Sequence, residues 1–184
     1  MTDAEQIRLV LRARAGDRDS VEALLGQLST LLRSYVVRII GPSSADDVLQ
    51  EVLIQIWRDV KWLREPELIK PWSYRIASRC CFKWLKRNRR FVQVDQETLP
   101  IEDIPAPTRD DLQLFTTAAE FLEILSPGSR AVLVLHYLHE HSLDEVAAIL
   151  EISPGTAKSR LAYGLSCLRE FVTRKGVKND TSIC

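Results

Sequence analysis

Ser142 to Leu168, SLDEVAAILEISPGTAKSRLAYGLSCL, is two short helices and a tight turn written into one sequence. Ser142 with Glu145 three residues on makes a capping-box pattern, which predicts where the first helix starts. Val146, Ala147, Ile149 and Leu150 then recur at helical spacing, so that helix has a face to bury. Glu151-Ile152-Ser153 is the turn. Ser153 suits an N-cap, and Pro154 falls at the first helical position, where a missing N–H is harmless. In the second helix Ala157, Leu161, Leu165 and Leu168 are expected inward. Thr156, Ser159, Arg160 and Tyr163, spaced i, i+3, i+4 and i+7, are expected outward. An outward face that is polar and partly basic fits the major groove of a DNA duplex. The plainer reading is an ordinary helical pair with one solvated side.

The chain around this stretch has 184 residues, enough for one domain or two small ones. The formal net charge is zero, which argues against indiscriminate coating of nucleic acid. Local charge is strongly segregated. No apolar run approaches the roughly 20 residues of a membrane span, so no membrane span is expected. Asp3 and Glu5 make the N-terminus unlike a signal peptide. Cys80, Cys81, Cys167 and Cys184 form no C-x-x-C pair and no disulfide-like framework, which points to a reduced, cytoplasmic location.

Helical periodicity runs almost throughout and β-type alternation is absent, so the expected fold class is all-α. A first helix is expected over 3–15, stopping near Gly16-Asp17. A second is expected over 20–40, ending at Gly41-Pro42. Ser44 should cap a third reaching about Leu63, with Asp46 and Asp47 favourable in its first turn. A loop, Arg64–Lys70, leads to a fourth helix over 71–90. Residues 91–111 then collect Pro100, Pro105 and Pro107 with six acidic residues, and read as an extended acidic linker. Helices resume over 112–125 and from Ser126-Pro127 to about His139. The organisation expected is two small helical domains, 1–90 and 112–175, a flexible linker over 91–111, and a polar tail over 176–184.

The fourth helix carries a second nucleic-acid signal. At about 100° per residue, Arg75, Arg79, Lys83, Lys86, Arg87 and Arg90 fall in a stripe about 120° wide. Trp72 and Ile76 share the stripe. Tyr74, Ala77, Cys81, Trp84 and Leu85 lie opposite, toward a core. No acidic residue interrupts 72–94. Charges all of one sign repel one another unless a polyanion neutralises them, and an aromatic among them offers a stacking surface for an unpaired base.

Together these stretches resemble bacterial RNA polymerase sigma factors of the extracytoplasmic-function type, group 4 of the sigma-70 superfamily. Asp46-Asp47-Val48-Leu49-Gln50-Glu51-Val52 through Trp57 is similar to the family's second-region helix. Lys70-Pro71-Trp72-Ser73-Tyr74-Arg75-Ile76-Ala77 is similar to its WLYRIA segment. Leu125-Ser126-Pro127 and Ser142 to Arg169 are similar to its fourth region. There, Gly155-Thr156-Ala157-Lys158-Ser159-Arg160 stands for the family's GTxKSR segment. The likeness covers almost the whole chain.

The resemblance implies roles. Asp47, Gln50, Glu51 and Gln55 would dock on the clamp coiled coil of the largest subunit of core RNA polymerase. Helices around 115–138 would dock on the flap of the second-largest subunit. Trp72, Arg75, Ile76, Arg79, Lys83, Lys86 and Arg87 would work at the −10 element. The Arg64–Lys70 loop, with Arg64 and Glu67, would capture a flipped base. Ser153, Gly155, Thr156, Lys158, Ser159, Arg160 and Tyr163 would read or clamp the −35 duplex. The acidic linker would thread toward the RNA-exit path. The partners implied are core polymerase, promoter DNA and an anti-sigma factor. The chain departs from the family pattern in lacking glycine before Trp72. It also has Arg79, Lys83 and Glu140 where asparagine, aspartate and glycine are frequent.

Other chemistry is weakly supported. His136, His139 and His141 cluster near a helix end, where the C-terminal dipole accounts for them better than a metal site completed by Cys167. Cys80-Cys81 on the basic helix could sense oxidation only if exposed, and Cys81 faces the core. No paired carboxylates, nucleophile–base set or phosphate loop occurs at useful spacing, so neither an enzyme nor a cofactor is expected. The main competing function is a stand-alone helix-turn-helix regulator. That would bind palindromic operators as a dimer.

Overall fold

A computed structural model describes residues 3–88 and 119–180. Contacts divide the chain into two compact units, Met1–Arg90 and Phe91–Cys184. The described residues form helices and tight turns without a strand.

The first unit holds α1 (Asp3–Arg14), α2 (Arg18–Ile40), α3 (Ala45–Asp59) and α4 (Ile69–Arg87). Gly16, at φ 88°, turns the chain between α1 and α2, a conformation that costs little without a Cβ. α2 starts earlier than expected. Asp17 is its N-cap residue, and the Ser20 hydroxyl donates to the Asp17 carboxylate. Gly41, also at φ 88°, ends α2 as the sequence implied, its N–H donating to Val37 O at 2.9 Å. Ser44 makes no side-chain capping bond. A 3-10 turn, Pro42–Ser44, instead leads into α3.

α2 is the central helix, packing on α1, α3 and α4. By length and composition it is apolar enough to cross a membrane, against the expectation drawn from short apolar runs. Its apolar side is nevertheless the core of the unit: Leu24, Leu28, Leu32, Tyr35, Val36 and Ile39 are all buried. α2 packs on α3 and α4, where Val48, Val52 and Ile56 of α3 and Tyr74, Ala77 and Cys81 of α4 are also buried. The Tyr35 and Tyr74 rings meet edge-on at 5.5 Å. Ser78 Oγ donates to Tyr74 O at 2.8 Å, so the Tyr35 hydroxyl donates to Ser78 Oγ at 2.6 Å. This chain gives the core's polar groups partners, without which burial would cost about 1–3 kcal/mol each.

In the second unit α5 (Ala119–Ile124) precedes α6 (Pro127–Leu133), α7 (Leu143–Leu150) and α8 (Pro154–Asp180). Ser126 caps α6, its Oγ accepting from Ser129 N–H at 3.2 Å. α6 continues as a π-turn, Val134–Leu138, closed by His139 N–H on Val134 O at 3.2 Å. The capping box of α7 is present: Glu145 N–H donates to Ser142 Oγ at 3.3 Å and Ser142 N–H to Glu145 Oε2 at 2.8 Å. Glu151 closes α7 in the left-handed region at φ 56°, and Glu140, between the π-turn and α7, has the same φ.

Ala157, Leu165 and Leu168 are buried as expected, but Leu161 is half-buried and Ala162 fills the core beside them. Gly164 lets α8 approach α6 closely. A Cβ there would fall 2.4 Å from Leu133 Cδ1. The backbone stays helical to Asp180, past Lys175 where a polar tail is expected. The expected linker 91–111, Arg90 and the start of the 112–125 helix lie outside the described residues.

Candidate nucleic-acid interface

α4 presents Arg79, Lys83, Lys86 and Arg87 to solvent, with Trp72 and Arg75 half-buried beside them. No carboxylate occurs on this helix. Ile76 corrects the wheel reading, being 4% exposed and part of the core. Because α4 packs against both α2 and α3, cover reaches further round the helix than one face. The surface stripe is therefore narrower than the sequence implies.

The Arg64–Lys70 segment is not an open loop. Pro66–Leu68 forms a 3-10 turn and α4 starts at Ile69, which is buried, so Lys70 is already helical. Pro71 sits in the first turn of α4, where no N–H partner is lost. Arg64 and Glu67 remain exposed on this short connection.

On α3, Asp47 and Gln50 are exposed and Glu51 and Gln55 half-buried. Gln55 Oε1 accepts from Cys80 Sγ at 3.5 Å. Glu51 Oε1 pairs with Lys83 Nζ at 3.2 Å, so the acidic face of α3 and the basic face of α4 meet. Nothing in the sequence signals this pair, because the two residues are 32 positions apart. α2 and α3 also flank an apolar groove lined by Val21, Leu25, Leu53, Ile54 and Trp57, with Gln50 among its lining.

On the second unit the start of α8 is built for contact. Ser153 Oγ accepts from Thr156 N–H at 3.0 Å and bonds Thr156 Oγ1 at 2.8 Å. Ser159 Oγ donates to Thr156 O at 3.2 Å. Ser153, Gly155 and Lys158 are exposed, while Thr156, Ser159, Arg160 and Tyr163 are half-buried. Arg160 is thus less outward than its helical position implies. Its guanidinium lies over Gly128 of α6, where an added Cβ would stand 2.9 Å from Cζ.

The cysteine and histidine clusters are occupied structurally. Burial pushes the Cys80 thiol up to about 11, with Glu51 adding to it, and burial raises Cys81 as well. Such thiols hold little thiolate at neutral pH. His136 donates from Nδ1 to His141 O at 2.8 Å. Among the described residues no three His, Cys, Asp or Glu side chains are grouped to hold a metal.

Both units match known families. Residues 21–91 fit the Sigma-70 region 2 model and residues 121–170 the Sigma-70, region 4 model. The RNA polymerase sigma-E factor of Streptomyces coelicolor is 31% identical over 143 residues, 76% of this chain and 78% of that protein. The ECF RNA polymerase sigma factor SigL of Mycobacterium tuberculosis is 29% identical over 177 residues, 90% of this chain and 96% of that one. A solved structure of the sigma factor RpoE with the anti-sigma factor NepR, from Bartonella quintana, shares the fold. Its TM-score is 0.63 at 24% identity, covering 83% of this chain and 96% of that one. The chain belongs to the sigma-70 family of RNA polymerase sigma factors, in the extracytoplasmic-function group. It is a sigma factor of transcription initiation, a family that is not a class of enzymes.

Proposed function

We propose that the two units divide promoter recognition between them. In the first, Asp47, Gln50, Glu51 and Gln55 meet the clamp coiled coil of the largest polymerase subunit. Trp72, Arg75, Arg79, Lys83, Lys86 and Arg87 meet the −10 element as it melts, and the Arg64–Glu67 connection holds an extruded base. In the second, Ser153, Gly155, Thr156, Lys158, Ser159, Arg160 and Tyr163 contact the −35 duplex, while α5 and α6 meet the flap of the second-largest subunit. Residues 91–111 join the units toward the RNA-exit path. An anti-sigma protein covers the docking faces when the factor is idle, and the factor works where polymerase does, in the cytoplasm.

The observation that carries this reading is the exposed row Arg79, Lys83, Lys86 and Arg87 on a helix without a carboxylate. A stand-alone regulator needs one DNA face, whereas this chain carries a basic face on a unit separate from its helix-turn-helix. Each unit alone has a small footprint. Joined through polymerase they bind bivalently, gaining effective concentration. A net charge of zero keeps the free protein from being titrated by non-specific DNA.

Run-off transcription with core polymerase and fragments of the source genome tests the proposal. Discrete starts sharing two spaced elements are expected. Lys158→Ala should weaken use of the upstream element and Arg79→Ala promoter opening. Specific dimeric binding to DNA without polymerase would favour the stand-alone regulator instead.

A further inference from the structure

The first unit exposes two tryptophans on and just after α3, and their surroundings differ in kind. Trp57 is 56% exposed and lines the apolar groove between α2 and α3. Trp62 is 73% exposed and does not line that groove. It closes the 3-10 turn Val60–Trp62, and the residues on either side of the turn's end are anchored: Val60 and Leu63 are buried. Leu63 N–H donates to Val60 O at 3.1 Å. The indole is therefore held out by a fixed turn and is not the tip of a loose loop. Lys61 Nζ lies 5.3 Å from its ring centroid. Arg58 and Arg64 are exposed on either side along the chain, with Asp59 half-buried after Arg58 and Glu65 and Glu67 exposed after Arg64.

An indole presented to water with an ammonium on its ring has the chemistry of a base-stacking platform. The ring supplies a flat apolar surface for an unpaired base, and the ammonium a partner for the adjoining phosphate. Trp57, among Val21, Leu25 and Ile54, has the surroundings of a protein contact instead. We propose that Trp62 stacks on an unpaired base of the melted promoter strand, with Lys61 neutralising a neighbouring phosphate. This contact lies outside both the Arg64–Glu67 connection and the α4 stripe. It rests on the reading above that the first unit meets the −10 element.

The test uses holoenzyme assembled from core polymerase and the full chain. The probe is a promoter fragment recovered by run-off mapping, prepared fully paired and with its −10 segment unpaired. Wild type should prefer the unpaired probe. Trp62→Ala should weaken binding to that probe by about tenfold or more, the scale of one lost base stack. Trp62→Phe should keep most of the binding. Affinity for core polymerase, melting temperature and binding to the paired probe should be unchanged. If wild type prefers the unpaired probe and Trp62→Ala binds it as tightly, the stacking inference fails alone. If Trp62→Ala loses affinity for core polymerase, Trp62 is a protein contact and the inference is overturned. If wild type shows no preference, the −10 assignment of the first unit falls and the inference with it.

Discussion

Lys83 Nζ lies 3.2 Å from Glu51 Oε1, joining the face of α3 proposed to dock on polymerase to the face of α4 proposed to meet DNA. Their side chains are 62% and 44% exposed, so the pair adds little stability, about 0–1 kcal/mol. Its consequence is electrostatic: in the free protein one cation of the stripe is already neutralised.

Replacing Glu51 by Gln should therefore leave the melting temperature nearly unchanged while freeing Lys83. Non-specific DNA binding by the free protein should strengthen. The slope of log affinity against log salt should steepen by about one, the value of one added phosphate contact. Affinity for core polymerase should fall in the same variant. Salt titration of both equilibria checks the pair, and an unchanged DNA slope would show that Lys83 does not reach phosphate.

The two cations of the GTAKSR segment should behave differently. Lys158 is exposed, so Lys158→Ala should reduce the salt slope of promoter binding by about one without altering stability. Arg160 is packed over Gly128, so Arg160→Ala should lower both DNA affinity and the melting temperature of the second unit. Thermal unfolding beside binding separates the two cases. Equal melting temperatures for the variants would contradict the packing role of Arg160.

Close approach of α8 to α6 should make Gly164 intolerant of a side chain. A Cβ would stand 2.4 Å from Leu133 Cδ1, and Leu133 is fully buried with little room to move. Alanine gains about 1 kcal/mol of helix propensity over glycine. Overpacking a core costs about 1–3 kcal/mol, so Gly164→Ala should be net destabilising. A urea midpoint at or above wild type would mean that Leu133 shifts freely.

The capping box of α7 makes a pH prediction. The Ser142 backbone N–H, and then its hydroxyl, hold the Glu145 carboxyl below its ordinary 4.5. A depressed carboxylate contributes stability that is fully present above its unfolded value. That contribution is lost as pH falls through the lower, folded value. The second unit should thus weaken from about pH 4.5 downward. Glu145→Gln should flatten that limb, and Ser142→Ala should also cost about 1 kcal/mol at neutral pH through the lost cap. Unfolding curves at several acidic pH values would reveal a limb that persists in Glu145→Gln, which would place its origin elsewhere.

Local signals in the sequence were sufficient for the helix-turn-helix. Ser142 with Glu145, and Ser153 before Pro154, act within one turn of the chain, so capping could be read directly. Gly41-Pro42 likewise marks a stop that the backbone obeys. The all-α class and the basic α4 follow from periodicity, which is also local.

What periodicity could not supply was which helices cover which faces. Ile76 shares a stripe with Arg79 on a wheel yet is buried, because α4 is clasped by two helices. Arg160 is drawn onto Gly128, Glu51 reaches Lys83, and Trp62 is held out between Val60 and Leu63. Helix formation, the capped ends and the sign of the surfaces were legible from residue order, since those depend on neighbours within a turn. Which side chains remain available was set by packing, because burial and ion pairing depend on groups far apart in the chain.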